Sequence, residues 1–303
     1  MQSKDYVNIG KAALQTGVAA VTLRAWERRY GLVKPERTPK GHRLYSQQNI
    51  EQIHHIISWL DRGVSISKVA VLLTEPKLLS SINIINDQPW PQVQSELSNS
   101  LITLKQTSVD QLLDKWNKTM PFINLCRHVY LPSHHYLTHR WQNEPLGYQL
   151  EQGIWLQAWQ RQLTLMTLRA EKQKPRASIW LINIDTAEMT LEYFLFSSLL
   201  LQAGIRIHAI NKVDDLDSLS RLSEAKAYPL IIVGNNKLCS SDINKLATVK
   251  AIWKENVFAI GYMASIHSHD LSNITMKHSG GCITECWRSS ETKSWLEQIV
   301  SEQ

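Results

Sequence analysis

The chain has 303 residues, 43% of them hydrophobic, enough to bury the cores of two or three domains, and it carries a net charge of +6. This composition excludes a disordered polymer. No apolar run approaches the ~18 residues of a membrane span, and no cleavable leader pattern precedes Tyr6, so a cytoplasmic location is expected. Four cysteines, Cys126, Cys239, Cys282 and Cys286, are too few for a disulfide-stapled fold of this length.

The charge is unevenly spread. Residues 1–75 hold 11 Lys/Arg against 6 Asp/Glu, and within residues 20–45 the ratio is 7 against 2. Such a basic segment fits the electrostatic footprint of a nucleic-acid binder as well as it fits a solvated face. Val7–Gly17 reads as a short helix stopped by Gly17, with Ile9, Ala12 and Ala13 on one side. A second helix over Ala20–Arg29 is anchored by Val21, Leu23 and Trp26. Helix, tight turn and helix make a helix-turn-helix. Pro35–Tyr45 is too rich in Pro and Gly for a helix and reads as a β-hairpin wing with Lys40-Gly41 near its tip. Helices over Gln48–Leu60 and Ile66–Leu73 follow, the latter capped by Ser65.

Candidate DNA contacts on the second helix are Thr22, Arg24, Trp26, Arg28 and Arg29. On the wing they are Arg37, Lys40, His42, Arg43 and Tyr45. Arginine forks suit phosphate and the guanine edge, and a basic wing with an aromatic suits backbone clamping.

Residues 76–90, with Pro76, Ser80, Ser81, Asn83, Asn86 and Pro89, read as a linker. Four helices then follow over Pro91–Leu104, Val109–Met120, Pro121–Trp141 and Leu146–Ala170, predicting a four-helix bundle at 90–173. From 176 to 303 strands and helices alternate. The strands fall at Ser178–Ile184, Ile205–Ile210, Leu230–Val233 and Val257–Ile260. The helices fall at Thr190–Ala203, Leu216–Ala225 and Ser241–Val249. That order predicts a Rossmann-like, doubly wound parallel sheet. Gly261, Gly280 and Gly281 fall where a ligand could approach the backbone. The fold class expected is therefore multi-domain, α plus α/β: winged helix-turn-helix (1–75), bundle (90–173) and parallel sheet (176–303).

Two residue sets could hold metal. His135 and His139 stand four apart, with His134 beside them, but no carboxylate or cysteine matches their spacing. His278, Cys282 and Cys286 recur at four-residue intervals, where thiols are more often ordinary core residues. His267 and His269 fall in a predicted loop at Ile266–Asp270 and complete no triad. No metal site and no catalytic residue is expected.

Ile9-Gly10, Gly17-Val18, Thr22-Leu23-Arg24-Ala25-Trp26-Glu27-Arg28-Arg29-Tyr30-Gly31-Leu32, Pro35-Glu36-Arg37 and Gly41-His42-Arg43-Leu44-Tyr45-Ser46 resemble the MerR family signature in order and spacing. The Leu-Arg-Ala-Trp-Glu-Arg-Arg-Tyr-Gly form resembles the branch of CarH, LitR and MlrA regulators. The resemblance implies a transcription regulator, not an enzyme, that binds promoter pseudo-palindromes as a dimer or higher oligomer. It implies phosphate contacts from Arg24, Arg43 and Tyr45, base reading by the second helix, and RNA polymerase as a partner. With no long dimer helix after residue 74, self-association is expected through the C-terminal domain.

Residues 90–303 resemble the cobalamin-binding module of that branch, in which a helical bundle covers the cofactor on a Rossmann-like domain. Val129-Tyr130-Leu131-Pro132, with Trp141 nine residues on, matches the segment ending in the cap tryptophan. The Glu-His pair that follows in the module is Glu151-Gln152 here, so the upper-ligand histidine is absent. The lower-ligand loop aligns with Glu188 to Glu192. Met189 replaces its histidine, and Glu192 replaces the glycine that admits the cofactor tail. Thioether and carboxamide are poor substitutes for imidazole on cobalt. The resemblance thus implies a degenerate module without cobalamin, reused for another small ligand, a regulatory protein or self-association. The alternatives are a working cobalamin-dependent regulator and a corrinoid-dependent transferase.

Overall fold

A computed structural model describes residues 6–61, 64–74, 90–143, 146–172, 174–185, 190–213, 215–225 and 228–302. Of the linker expected at 76–90, residues 76–89 lie outside them, as do the positions Glu188 and Met189. The chain packs as two compact units, Met1–Ala158 and Trp159–Gln303, divided inside a long helix.

The first unit begins with a small three-stranded antiparallel sheet. Its strands are β1 (Val7–Asn8), β2 (Glu36–Arg37) and β3 (Arg43–Tyr45), in the order β1-β3-β2. Val7 and Asn8, expected within the first helix, instead pair with Tyr45 and Leu44 of the wing. Asn8 then caps α1 (Ile9–Thr16), its side chain accepting from Lys11 N at 2.9 Å. Gly17, at φ 69°, ends that helix in the left-handed conformation. α2 (Ala20–Ala25) follows and continues into a π-helical turn at Trp26–Tyr30. α3 (Gln47–Asp61) starts with a reciprocal cap: Ser46 N donates to Asn49 Oδ1, and Asn49 N donates to Ser46 Oγ. α4 (Ile66–Thr74) completes this head. Its core gathers Leu23, Trp26, Tyr45, Ile53, Ile56 and Val69, all at most 1% exposed.

The bundle comprises α5 (Trp90–Ile102), α6 (Gln106–Thr119), α7 (Phe122–Leu125), a π-helical turn (Cys126–Tyr130), α8 (Leu131–Asn143) and α9 (Tyr148–Glu171). Trp90 lies at the start of α5 and stacks on His128, ring centroids 4.8 Å apart. Tyr130 stacks on Trp155 at 5.9 Å inside the bundle. Head and bundle meet at one corner. The Trp26 indole N–H donates to the Thr119 carbonyl at 2.9 Å. Asp61 accepts from Asn124 Nδ2 at 3.0 Å and pairs with Arg127 at 3.5 Å.

The second unit is built on five parallel strands in the order β5-β4-β6-β7-β8. They are β4 (Ala177–Asn183), β5 (Ile205–Ile210), β6 (Leu230–Val233), β7 (Val257–Gly261) and β8 (Lys277–Gly280). Central β4, β6 and β7 are almost wholly buried, as strands covered on both faces must be. The connections are α10 (Leu191–Gln202), a 3₁₀ segment (Leu216–Ala225) in place of the expected helix, α11 (Ser240–Trp253), α12 (Tyr262–Ile266) and α13 (Ser268–Asn273). α14 (Ile283–Arg288) and α15 (Ser290–Glu302) follow β8. Within this unit Trp159, midway along α9, stacks over Phe194 of α10 at 6.2 Å. Among the described residues, no helix is long and apolar enough to cross a membrane.

Candidate nucleic-acid interface

α2 and its π-turn divide the basic segment into two faces. Thr22, Leu23, Ala25 and Trp26 are buried; Val21, Arg24, Arg28 and Arg29 are exposed. Val21, Arg24 and Arg28 are spaced three and four apart and so share a stripe. Gly31 at φ 63° closes the π-turn, its N–H bonding back to Glu27 O and Trp26 O. Single π-turns inside helices recur at functional sites. The wing lies beside this stripe. Its turn is held by Thr38 N to His42 O (2.9 Å) and Gly41 N to Thr38 O (2.8 Å), which leaves Arg37, Lys40 and His42 exposed.

Three expected contacts do not lie on this surface. Thr22 and Trp26 are 0% exposed, because residues four apart along α2 and its π-turn face the head's own core and the bundle corner. Tyr45 is 1% exposed, since its place in β3, opposite Val7, turns its ring inward. Burial and the Glu27 carboxylate push its phenol above the ordinary range.

Glu27, on the same helix as the expected contacts, joins the site in another way, by holding the wing. One of its oxygens takes Arg37 Nη2 at 2.8 Å, and the other takes Arg43 Nε. Burial raises its carboxyl, but the bonds and charges of Arg43 and Arg37 outweigh this and hold it below the ordinary carboxylate range. An acid standing alone in a run of arginines is the signal that sequence offers for it.

In the bundle, Trp141 and Glu151 are 7% and 4% exposed, and Gln152 faces solvent. The Glu151 carboxylate is taken by Arg140 Nη1, at 2.7 and 2.6 Å to its two oxygens, and by Trp141 Nε1 at 2.8 Å. His134 accepts from Trp155 Nε1 at 3.4 Å, His139 meets Asn143, and His135 is exposed.

In the second unit the strand order reverses between β4 and β6, where open parallel sheets bind ligands. The chain's own groups meet there. Asp185, 3% exposed, accepts from Asn235 N (2.7 Å), Asn235 Nδ2 (3.0 Å), Asn236 N (3.3 Å) and Asn236 Nδ2 (3.1 Å). Gly261 (φ 98°) and Gly280 are needed by the fold itself. A Cβ would stand 2.4 Å from Gly234 O at the first, and 2.2 Å from Ser265 Oγ at the second. Gly281, at φ 104°, faces the Glu285 carboxylate. Glu192 lies in the first turn of α10, its carboxyl pushed up by burial and by Asp185.

His267, expected in a loop, lies between α12 and α13 and accepts from Leu238 N through Nε2 at 2.9 Å; its Nδ1 meets Asp270. His269 lies within α13. His278, Cys282 and Cys286 do not share a helix: His278 is on β8, Cys282 precedes α14, and Cys286 lies within it, bonded to Ser279 O. Among the described residues, no three of His, Cys, Asp or Glu form a group that could hold a metal ion.

The family model described as MerR HTH family regulatory protein matches residues 7–75. The HTH-type transcriptional regulator MlrA of Salmonella typhimurium is 32% identical over 207 residues, 67% of this chain and 78% of that protein. The chain belongs to the MerR family. The MlrA of Escherichia coli is 37% identical over 124 residues, and that match spans only 49% of its length. This MerR-family transcription regulator is also 39% identical, over 82 residues, to the transcriptional repressor CarH of Myxococcus xanthus, covering 27% of the chain and 26% of CarH. Among solved structures, the monomethylamine corrinoid protein of Methanosarcina barkeri is similar in fold. Its TM-score is 0.51 at 9% identity, over 69% of this chain and 99% of that one. This MerR-family regulator therefore joins a winged helix-turn-helix to helices and a Rossmann-like sheet similar in fold to that corrinoid protein.

Proposed function

We propose that the protein reads promoter DNA in a sequence-specific way as a two-fold dimer, without cobalamin. The observation that carries the DNA reading is the exposed row of Arg24 and Arg28, with Arg29, beside the basic wing tip. A helix of this kind enters the major groove, where arginine forks read guanine, while the wing positions the backbone. A dimer would bring two such helices about 34 Å apart into successive major grooves of a pseudo-palindrome. RNA polymerase is the partner such promoter binding would serve.

The same reading leaves the C-terminal fold without a corrinoid. By sequence, a carboxamide, Gln152, replaces the upper-ligand histidine of the cobalamin module, and a thioether, Met189, replaces the lower one. Glu151 is engaged by Arg140 and Trp141. The crevice at the sheet's reversal holds the Asp185–Asn235–Asn236 network. These residues do not fit the group, and they support reuse of the domain for self-association or another ligand.

The test is selection of duplexes from a random library by the full chain, followed by footprinting and salt titration. Arg24→Ala and Arg28→Ala are each expected to weaken binding and to lower the salt slope by about 0.9 for every phosphate no longer neutralised. Unchanged affinity and slope in both would remove the proposed DNA face. In parallel, hydroxocobalamin and adenosylcobalamin are added to the purified chain. Stoichiometric visible absorption retained after gel filtration would overturn the cobalamin-free reading.

A further inference from the structure

The wing of a DNA-binding head gains specificity only if its angle to the reading helix is fixed, and a hairpin this short has few means of fixing it. β2 is two residues long and β3 three. The side chain that crosses from helix to wing is Glu27. It leaves the π-turn just after α2, and each of its oxygens holds a different wing arginine. The bridge reaches further through Arg37, whose Nη1 also meets the Gly41 carbonyl at the wing's turn, at 3.4 Å. One carboxylate thereby ties the reading helix, both wing strands and the turn into a single framework.

The charge arrangement points the same way. Within residues 20–45 the only acids are Glu27 and Glu36, and Glu36 accepts from the Tyr6 hydroxyl. The Glu27 side chain is 18% exposed, while Arg37 is 50% and Arg43 24% exposed. An acid embedded in a phosphate-binding surface lowers the sequence-independent attraction that all duplexes share. The same acid preserves the geometry that only the correct duplex uses.

We infer that Glu27 is a positioning residue for sequence discrimination: it orients Arg37 and Arg43 against the reading helix and subtracts from non-specific binding. This rests on the proposal that the head reads DNA. It predicts opposite effects on two kinds of duplex, which a merely structural residue would not produce.

The experiment compares the intact chain with Glu27→Gln on the selected duplex and on a scrambled duplex of equal composition, at two salt concentrations. Glu27→Gln is expected to bind the scrambled duplex as tightly or more tightly, and the selected duplex about tenfold more weakly, the scale of discrimination at a single base pair. Equal changes on both duplexes, or no change on either, would overturn the inference. Should Glu27→Gln fail to fold by its melting curve, Arg37→Gln serves, its side chain being half-exposed. A fall in discrimination supports the bridge, and unaltered discrimination refutes it. The double variant Glu27→Gln with Arg37→Gln is expected to discriminate between the two duplexes no worse than Glu27→Gln alone, since both remove one framework; additive losses of discrimination would refute the shared bridge. If the unaltered chain selects no duplex from the library, the DNA-reading proposal itself fails, and this inference falls with it.

Discussion

Neutralising Glu151 separates a structural carboxylate from one kept for a ligand. Glu151 is nearly buried, accepts from Arg140 through both oxygens, and takes the Trp141 indole N–H as well. Glu151→Gln keeps the volume but removes the charge opposite Arg140, whose side chain is 20% exposed. Breaking a buried pair by removing one partner costs about 3–5 kcal/mol, and the partial exposure of Arg140 favours the lower end, about 3 kcal/mol. At about 2–4 °C per kcal/mol for a unit of this size, the bundle transition is expected to fall by about 6–12 °C. The chain has two compact units, so the melt is followed by calorimetry, with the shifted transition assigned by hydrogen exchange in α8 and α9. Replacing both partners, Arg140→Leu with Glu151→Leu, is expected to be less damaging than Glu151→Gln, because no uncompensated charge then remains. A shift below about 2 °C for Glu151→Gln, or a double variant less stable than the single one, would refute this account.

Two further outcomes follow from the head. Trp26→Phe keeps a ring in the core but removes the N–H bonded to Thr119 O, and a buried carbonyl short of a donor costs about 1–3 kcal/mol. Faster amide exchange is expected in α2 and the last turn of α6; unchanged protection in both would show that the bond carries nothing. The Glu27 bridge sets a pH dependence. Its folded pKa lies below the unfolded value, so its contribution is complete above about pH 4.3 and is lost as pH falls through the folded value. Exchange at the Thr38–His42 turn, corrected for intrinsic rates, is expected to stay flat from pH 7 to 5 and rise only below that. Loosening that begins near pH 6 would assign it to another group.

Periodicity and turn residues make most of the fold legible. Gly17, the proline-rich wing and the apolar runs of β4 to β7 each carry a local signal that the tertiary structure keeps. β8 escapes such reading because Lys-His-Ser-Gly has no strand pattern; it is a strand only because it pairs with β7. Val7 and Asn8 read as helix because their pairing partners lie 38 and 36 residues away, where no local window reaches. The site is half legible. Arg24, Arg28 and Arg29 are exposed as expected, whereas Thr22 looks like a surface residue on a polar helix, and Trp26 reads as both anchor and contact until the head's core and the bundle corner show it wholly buried. Glu27 is visible on the second helix, but its pairing with Arg37 and Arg43 is not, because the wing lies 10 and 16 residues further on. The Asp185 network joins loops some 50 residues apart, and nothing near Asp185 in sequence announces it.

The corner where Trp26 meets Thr119, and where Asp61 meets Asn124 and Arg127, has a thermodynamic consequence. The helix carrying Arg24 and Arg28 shares part of its stabilisation with the bundle. Any duplex that binds the docked and undocked heads with different affinity must therefore change the strength of that corner. By linkage the effect runs equally in reverse, so whatever tightens or loosens residues 119–127 changes affinity for DNA by the same factor. If the head reads DNA as proposed, the bundle need not touch a duplex to have a say in which one is held.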